Sequence, residues 1–290
     1  MEIRKVLVPT DFSESANHAL KQAVELAVRF RAKLHLFHVV EPFTDPTSGI
    51  GASVRDYLER LERDANEALA VEIDPLKGRG IDVVYTTERR ISSFEGILAK
   101  VEELSPDLVV LGTRGRTGLK RVVMGSVAEK VLQYVPVNVL TIGTRSPVVP
   151  AGECFERILV AVDFSEPSKR AVRAARSLLA KGGQLFVGHV VASPIHPSFY
   201  AGGITRLFQL DPDLPGRIRE NLSSWLSGEV TEIFVREGDV PQEILDIAAS
   251  KRCQLIAMGN RGLSALEHFL LGSVSERVVR HSKTPVLTVH

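Results

Sequence analysis

Four residues recur at one fixed spacing in two places: Gly112, Gly115, Gly125 and Ser126, then Gly259, Gly262, Gly272 and Ser273. Each set follows a short apolar run, DLVVL over 107–111 or QLIAM over 254–258, and leads into a helical pattern that opens at the serine. A strand, a glycine turn and a helix start suit a phosphate. Glycine lets main-chain N–H groups come close, and the helix start carries the positive end of its dipole. A single Gly-x-x-Gly is explained equally well by a turn or a cap. Two copies with identical internal spacing favour ligand contact. Ser126-x-x-Glu129 and Ser273-x-x-Glu276 also read as capping boxes, which would satisfy first-turn amides.

Other residues qualify that chemistry. Asp11 and Asp163 each end a first apolar run and precede Phe-Ser-Glu. They read either as Asx-turn or N-cap residues, or as acceptors for an adenine edge, a ribose hydroxyl or a water-held metal ion. His38 and His189 have no second ligand in metal spacing and read as packed strand-end histidines. Arg114, Arg116, Lys120 and Arg121 surround the first glycine set, whereas the second has Arg261 and places Glu267 and His268 in its gap. The first site is therefore expected to hold a triphosphate more tightly. There is no Gly-x-Ser-x-Gly, no Walker lysine and no Gly-x-Gly-x-x-Gly after the first strand, so no catalytic set is evident. At most, slow phosphate hydrolysis with Asp11 or Asp163 orienting water or metal is left open.

The elements that must position these residues are also doubled. Lys5–Glu14 (KVLVPTDFSE) matches Arg157–Glu166 (RILVAVDFSE), and VLTI over 139–142 matches VLTV over 286–289. A repeat this long is a duplicated domain, predicted at 1–145 and 154–290 with a linker over 146–153. In the first half, strands are predicted near 4–10, 34–40, 81–86, 107–112 and 137–142, with helices near 14–31, 52–73, 94–104 and 126–134. Continuously apolar strands alternating with helices imply an α/β fold: two tandem, doubly wound, parallel five-stranded sheets. Ligands of such sheets lie at strand carboxyl ends, where Asp11, Val39 and Gly112 fall.

The 290-residue chain is 44% hydrophobic and 24% charged, with a net charge of +1. That balance argues against a dedicated nucleic-acid or acidic-membrane binder. Two isolated cysteines fit neither a disulfide framework nor a zinc site. No leader pattern and no membrane-length apolar run is evident, so a cytoplasmic location is expected.

The residues Pro9-Thr-Asp-Phe-Ser13, His38-Val39, Gly112-Thr-Arg-Gly115 and Gly125-Ser-Val-Ala-Glu129, with their second-half counterparts, resemble the universal stress protein family in its tandem form. The match covers nearly the whole chain. Its Gly-2x-Gly-9x-Gly-Ser pattern resembles the ATP-binding branch, which implies an adenine nucleotide alpha hydrolase-like fold and ATP as ligand, with or without Mg²⁺. Carried over by position, Pro9, Thr10, Asp11 and Val39 belong to the nucleotide, the last two on its adenosine side. Gly112, Arg114, Gly115, Gly125, Ser126 and Val127 belong to the ribose and phosphates. The second half supplies Val162, Asp163 and Val190, then Gly259, Arg261, Gly262, Gly272, Ser273 and Val274.

Two departures stand out. The second half has Gly238-Asp239 before its third helix, where the first reads ERRISSF over 88–94. The Pro- and Gly-rich segment Ser193–Gly216 is long for a loop and reads as a lid or an unstructured stretch. Because family members pair through their last strands, the halves are expected to pair edge to edge as a pseudo-two-fold dimer, and whole chains to pair further. The implied function is an ATP-binding stress-response or regulatory protein with an unidentified protein partner. The competing reading is an interaction scaffold whose glycines only shape turns and which binds through the 42–52 and 193–216 loops.

Overall fold

The computed structural model describes residues 1–42, 54–115, 124–144, 146, 148–149, 154–192, 207–226, 228–261 and 272–290. They divide into two compact units, Glu2–Glu153 and Cys154–His290.

The first unit runs β1 (Lys5–Pro9), α1 (Glu14–Phe30), β2 (Lys33–Val40), α2 (Val54–Ile73), β3 (Val83–Arg89), α3 (Ser93–Leu104), β4 (Leu108–Gly112), α4 (Ser126–Tyr134) and β5 (Asn138–Ile142). The strands pair in parallel in the order β3-β2-β1-β4-β5. β1 is central, with Val6 in register with both Leu34 and Leu108. Both of its faces are covered, and Val6, Leu7 and Val8 are all buried. That is why its sequence is continuously apolar. Right-handed crossovers place α1 and α2 on one face and α3 and α4, which pack together, on the other. α1 buries Ala16, Ala19, Leu20, Ala23 and Ala27, a stripe of mostly small side chains that lets it lie close to β4.

β3 begins and ends later than predicted. Among the described residues its one partner strand is β2, so its second half, TTER, carries polar side chains on an edge. An apolar-run criterion stops at Tyr85. Around the stretch expected as a linker, Gly143 N donates to Ser146 Oγ (3.1 Å) and Val149 N to Gln22 Oε1 (3.1 Å). Ser146, Val149 and Gln22 are all buried. The start of that stretch is therefore part of the first unit.

The second unit runs β6 (Phe155–Ala161), α5 (Glu166–Leu178), β7 (Leu179–Ala192), α6 (Leu207–Leu210), α7 (Leu214–Trp225), β8 (Glu232–Gly238), α8 (Val240–Ser250), β9 (Leu255–Gly259), α9 (Ser273–His281) and β10 (Val286–Val289). Its parallel order is β8-β7-β6-β9-β10. The end of the segment read as loose is helical, in α6 and the start of α7; residues 193–206 of it lie outside the described residues, as do 43–52 of the first-unit loop.

Candidate functional site

The turn after β1 is built by short polar side chains. Thr10 Oγ1 accepts from Phe12 N (3.0 Å), and Asp11 Oδ1 accepts from Ser13 N (3.0 Å), an Asx turn. Ser13, not Asp11, is the N-cap of α1: its Oγ accepts from Ala16 N at 3.2 Å and donates to Arg114 O at 3.2 Å. The turn forces Phe12 to a φ of +63°, left-handed for a bulky side chain and costly by roughly 1–2 kcal/mol. His38 supports it. Its ring lies 4.6 Å from the Phe12 ring, and its Nδ1 is 2.8 Å from Thr10 O. A carbonyl only accepts, so this nitrogen carries the proton. The packed strand-end reading of His38 therefore holds.

The glycines have unequal jobs. A Cβ on Gly112 would lie 2.4 Å from Ser15 Oγ and 2.6 Å from the Ser15 carbonyl carbon. Gly112 is thus required by the approach of α1 to β4, a reason the spacing argument missed. A Cβ on Gly115 would lie 2.9 Å from Asp11 Oδ2, so the two turns meet there. At Gly125 the backbone is ordinary (φ −67°, ψ 144°), and a Cβ would find nothing nearer than 3.7 Å. Among the described residues, no packing constraint demands glycine at 125.

Gly125 also occupies the N-cap of α4, and Ser126 is the first helical residue. The same holds for Gly272 and Ser273 in α9. The capping boxes read at these serines are thus corrected. A glycine takes the cap one residue early and offers no side-chain acceptor to the first turn. Thr113 N donates to Ile142 O (3.0 Å), Arg114 N to Ser15 Oγ (3.3 Å) and Gly125 N to Thr113 O (2.9 Å). The helix ladder begins at Glu129 N to Gly125 O (3.0 Å). The amides of Ser126, Val127 and Ala128 precede it and meet no acceptor among the described residues.

These groups open on one cavity of about 530 Å³ at the carboxyl ends of the first sheet. It is lined by Pro9, Thr10, Asp11, Val39, Gly112, Arg114, Gly115, Gly125, Ser126 and Val127, the full first-half set carried over from the resemblance. Sequence reasoning missed its other walls. Leu61, Asp64, Ala65 and Ala68 come from α2, Ser93 and Ile97 from α3, and Glu41 from the end of β2. The i, i+3, i+4, i+7 spacing on α2 was legible, but not that this face overhangs a strand end. Among the described residues, the lining holds three carboxylates, Asp11, Glu41 and Asp64, and one cationic side chain, Arg114. Burial and the Asp11 charge together hold the Glu72 carboxyl of α2 above the usual carboxylate range. Arg116, Lys120 and Arg121 lie outside the described residues. No group of three or more His, Cys, Asp or Glu among the described residues could hold a metal ion.

The sequence profile of the universal stress protein family matches residues 2–143 and again 155–290. The chain belongs to the universal stress protein family. A universal stress protein of Mycolicibacterium smegmatis is 26% identical over 299 residues, covering 98% of this chain and 96% of the relative. One of Methanocaldococcus jannaschii is 31% identical over 142 residues, or 48% of this chain and 81% of the relative. Among solved structures, a universal stress protein from Archaeoglobus fulgidus matches 100% of this chain and 99% of its own, with a TM-score of 0.72 at 23% identity. That likeness speaks for the fold. No helix among the described residues is long and apolar enough to cross a membrane.

The second universal stress protein domain repeats the first turn with altered surroundings. Asp163 Oδ1 accepts from Ser165 N (3.1 Å) and Ser165 Oγ (2.5 Å), and Phe164 has a φ of +64°. His189 Nδ1 is 2.8 Å from Val162 O. Val190 lies near the end of β7 and Gly259 ends β9, where a Cβ would lie 2.8 Å from Pro167 Cβ. Gly272, Ser273 and Val274 start α9. Gly262, Glu267 and His268 lie outside the described residues. Arg261 stands near His290, whose Nδ1 is 2.9 Å from Asn260 Nδ2. Burial, with the charges of Arg261 and Arg170, pushes the His290 pKa down to about 4. Trp225 of α7 sets its ring 5.7 Å from that of Phe164. Arg236 and Glu243 pair at 3.1 Å beside Gly238.

Proposed function

We propose that the first domain is an adenine-nucleotide site that takes ATP, and that occupancy regulates which conformation or partner the chain selects. The observation carrying this reading is the union, in one cavity, of the Ser126–Ala128 amides behind Gly125 with the apolar end at Val39, Leu61 and Ile97. The amides and Arg114 attract phosphate, while the apolar arm accommodates a planar base. Asp11, Glu41 and Asp64 oppose a polyphosphate electrostatically. Mg²⁺ arriving on the nucleotide, held mainly by phosphate oxygens and water, offsets that repulsion. In the second domain the counterpart set is Val162, Asp163, Val190, Gly259, Arg261, Gly262, Gly272, Ser273 and Val274.

Titration calorimetry with ATP, with and without Mg²⁺, tests the proposal. Saturable heat that strengthens with Mg²⁺ supports it. Absence of heat up to millimolar ATP overturns it and leaves the interaction scaffold as the working description.

A further inference from the structure

The two domains begin the helix after their edge strand, α3 after β3 and α8 after β8, differently. In the second, Asp239 caps α8, its Oδ2 accepting from Gln242 N at 3.3 Å. In the first, Ser92 is the N-cap of α3 and makes no side-chain bond. The first amide of α3 reaches across to β2 instead: Ser93 N donates to Glu41 Oε1 at 2.5 Å, and Ser93 Oγ donates to the same oxygen at 2.6 Å. The residue matching Glu41 in the second domain is Ala192. The carboxylate that starts the third helix thus sits at the end of β2, where both it and Ser93 line the cavity.

We propose that Glu41 is a specificity-determining residue. Its carboxylate accepts a hydrogen bond from an amino group on the base of the bound nucleotide, and it selects that base over one presenting a carbonyl. The inference rests on the nucleotide reading of this site. Placement favours the base over the sugar: β2 lies two strands from β4, roughly 10 Å at about 4.8 Å per strand, with β1 between them. A phosphate at the start of α4 leaves the sugar over β1 and the base at β2. A carboxylate offers about four acceptor positions and no donor, and both Ser93 bonds fall on Glu41 Oε1. A carbonyl facing it sets lone pair against lone pair. Sites built to bond an N–H reject an analogue lacking it, here by roughly tenfold or more because the cavity is open to water.

ATP and ITP, which differ by an amine or a carbonyl at one ring position and the proton on its neighbour, are the probes, with 2′-deoxy-ATP as the sugar control. Wild type is expected to bind ATP at least about tenfold tighter than ITP. Glu41→Gln keeps an oxygen for Ser93 and adds an N–H₂ donor, so the ratio should fall toward one, with ATP weakened and ITP strengthened. The assignment is overturned if Glu41→Gln preserves the ratio, or if its effect appears between ATP and 2′-deoxy-ATP instead. Wild type binding none of the three nucleotides overturns the nucleotide reading and Glu41's role with it, a failure visible before any variant is made.

Discussion

At the scale of single residues, the glycines separate structure from ligand. Gly112→Ala pushes a methyl group into Ser15, where both backbone and side chain stand within 3 Å. It is expected to cost about 1–3 kcal/mol in chemical denaturation, as overpacking does. Gly125→Ala meets nothing nearer than 3.7 Å among the described residues and should leave stability within roughly 0.5 kcal/mol. The same methyl group stands beside the first-turn amides of α4 and should weaken ATP binding at least tenfold by calorimetry. Unchanged affinity in Gly125→Ala would count against phosphate at that turn. Cysteine chemistry is a further residue-scale test. Cys154 and Cys253 are both buried, and burial pushes the Cys253 thiol up to about 12. Native protein near neutral pH should show no thiol reactive toward a disulfide reagent, and denatured protein should show both.

At the scale of elements, the domains solve the same packing problems with different residues. In the first, the Lys100 ammonium stands 5.3 Å from the Phe37 ring centre and pairs with Glu88 and, at 2.7 Å, Glu103. The matching positions in the second are Gly188 and Ile247, and the residue opposite Val190 is Arg236. Swapping an aromatic ring and a lysine for a glycine and an isoleucine keeps the space filled, since a Cβ on Gly188 would already lie 3.4 Å from Ile247 Cδ1. Helix starts diverge likewise. Asp239 caps α8 and also forms two 3.0 Å bonds with Arg277 of α9. Asp239→Ala should cost about 1–2 kcal/mol in denaturant melts. Asp239→Asn keeps the cap and should lose less than about 1 kcal/mol. Equal losses would place the stability in the ion pair, not the cap.

At the scale of the whole molecule, the duplicated KVLVPTDFSE and RILVAVDFSE segments made the order of elements legible, because a motif read twice calibrates itself. Strand ends were legible where both faces are buried, as in β1 and β4, and not at β3, whose outer half is polar. The site was half legible. Turn residues at strand ends announce themselves by type and spacing, whereas the α2 wall depends on how far a helix overhangs the sheet, which no local pattern encodes. Glu41 was missed because its partner, Ser93, is 52 residues away. The second domain carries one source of acid sensitivity. His290, with its pKa near 4 when folded, takes up a proton at about 6.5 once unfolded. The unfolded chain binds more protons between these values, so stability is full above about 6.5 and falls as pH drops toward 4. The loss approaches about 3 kcal/mol. His290→Gln should flatten the pH dependence of the melting midpoint over that window, and an unchanged slope would refute the assignment.

The contact between Gln22 and Val149 bears on where this protein can be cut. Gln22 is wholly enclosed, and its side-chain oxygen is held by a main-chain amide beyond the last strand of its domain. A first domain truncated after Ile142 would lose that donor and strand the Gln22 side-chain oxygen in a buried position. Expressed alone, it should melt several degrees lower than one continued to Glu153, and limited proteolysis of the intact chain should spare the peptide bonds flanking Val149.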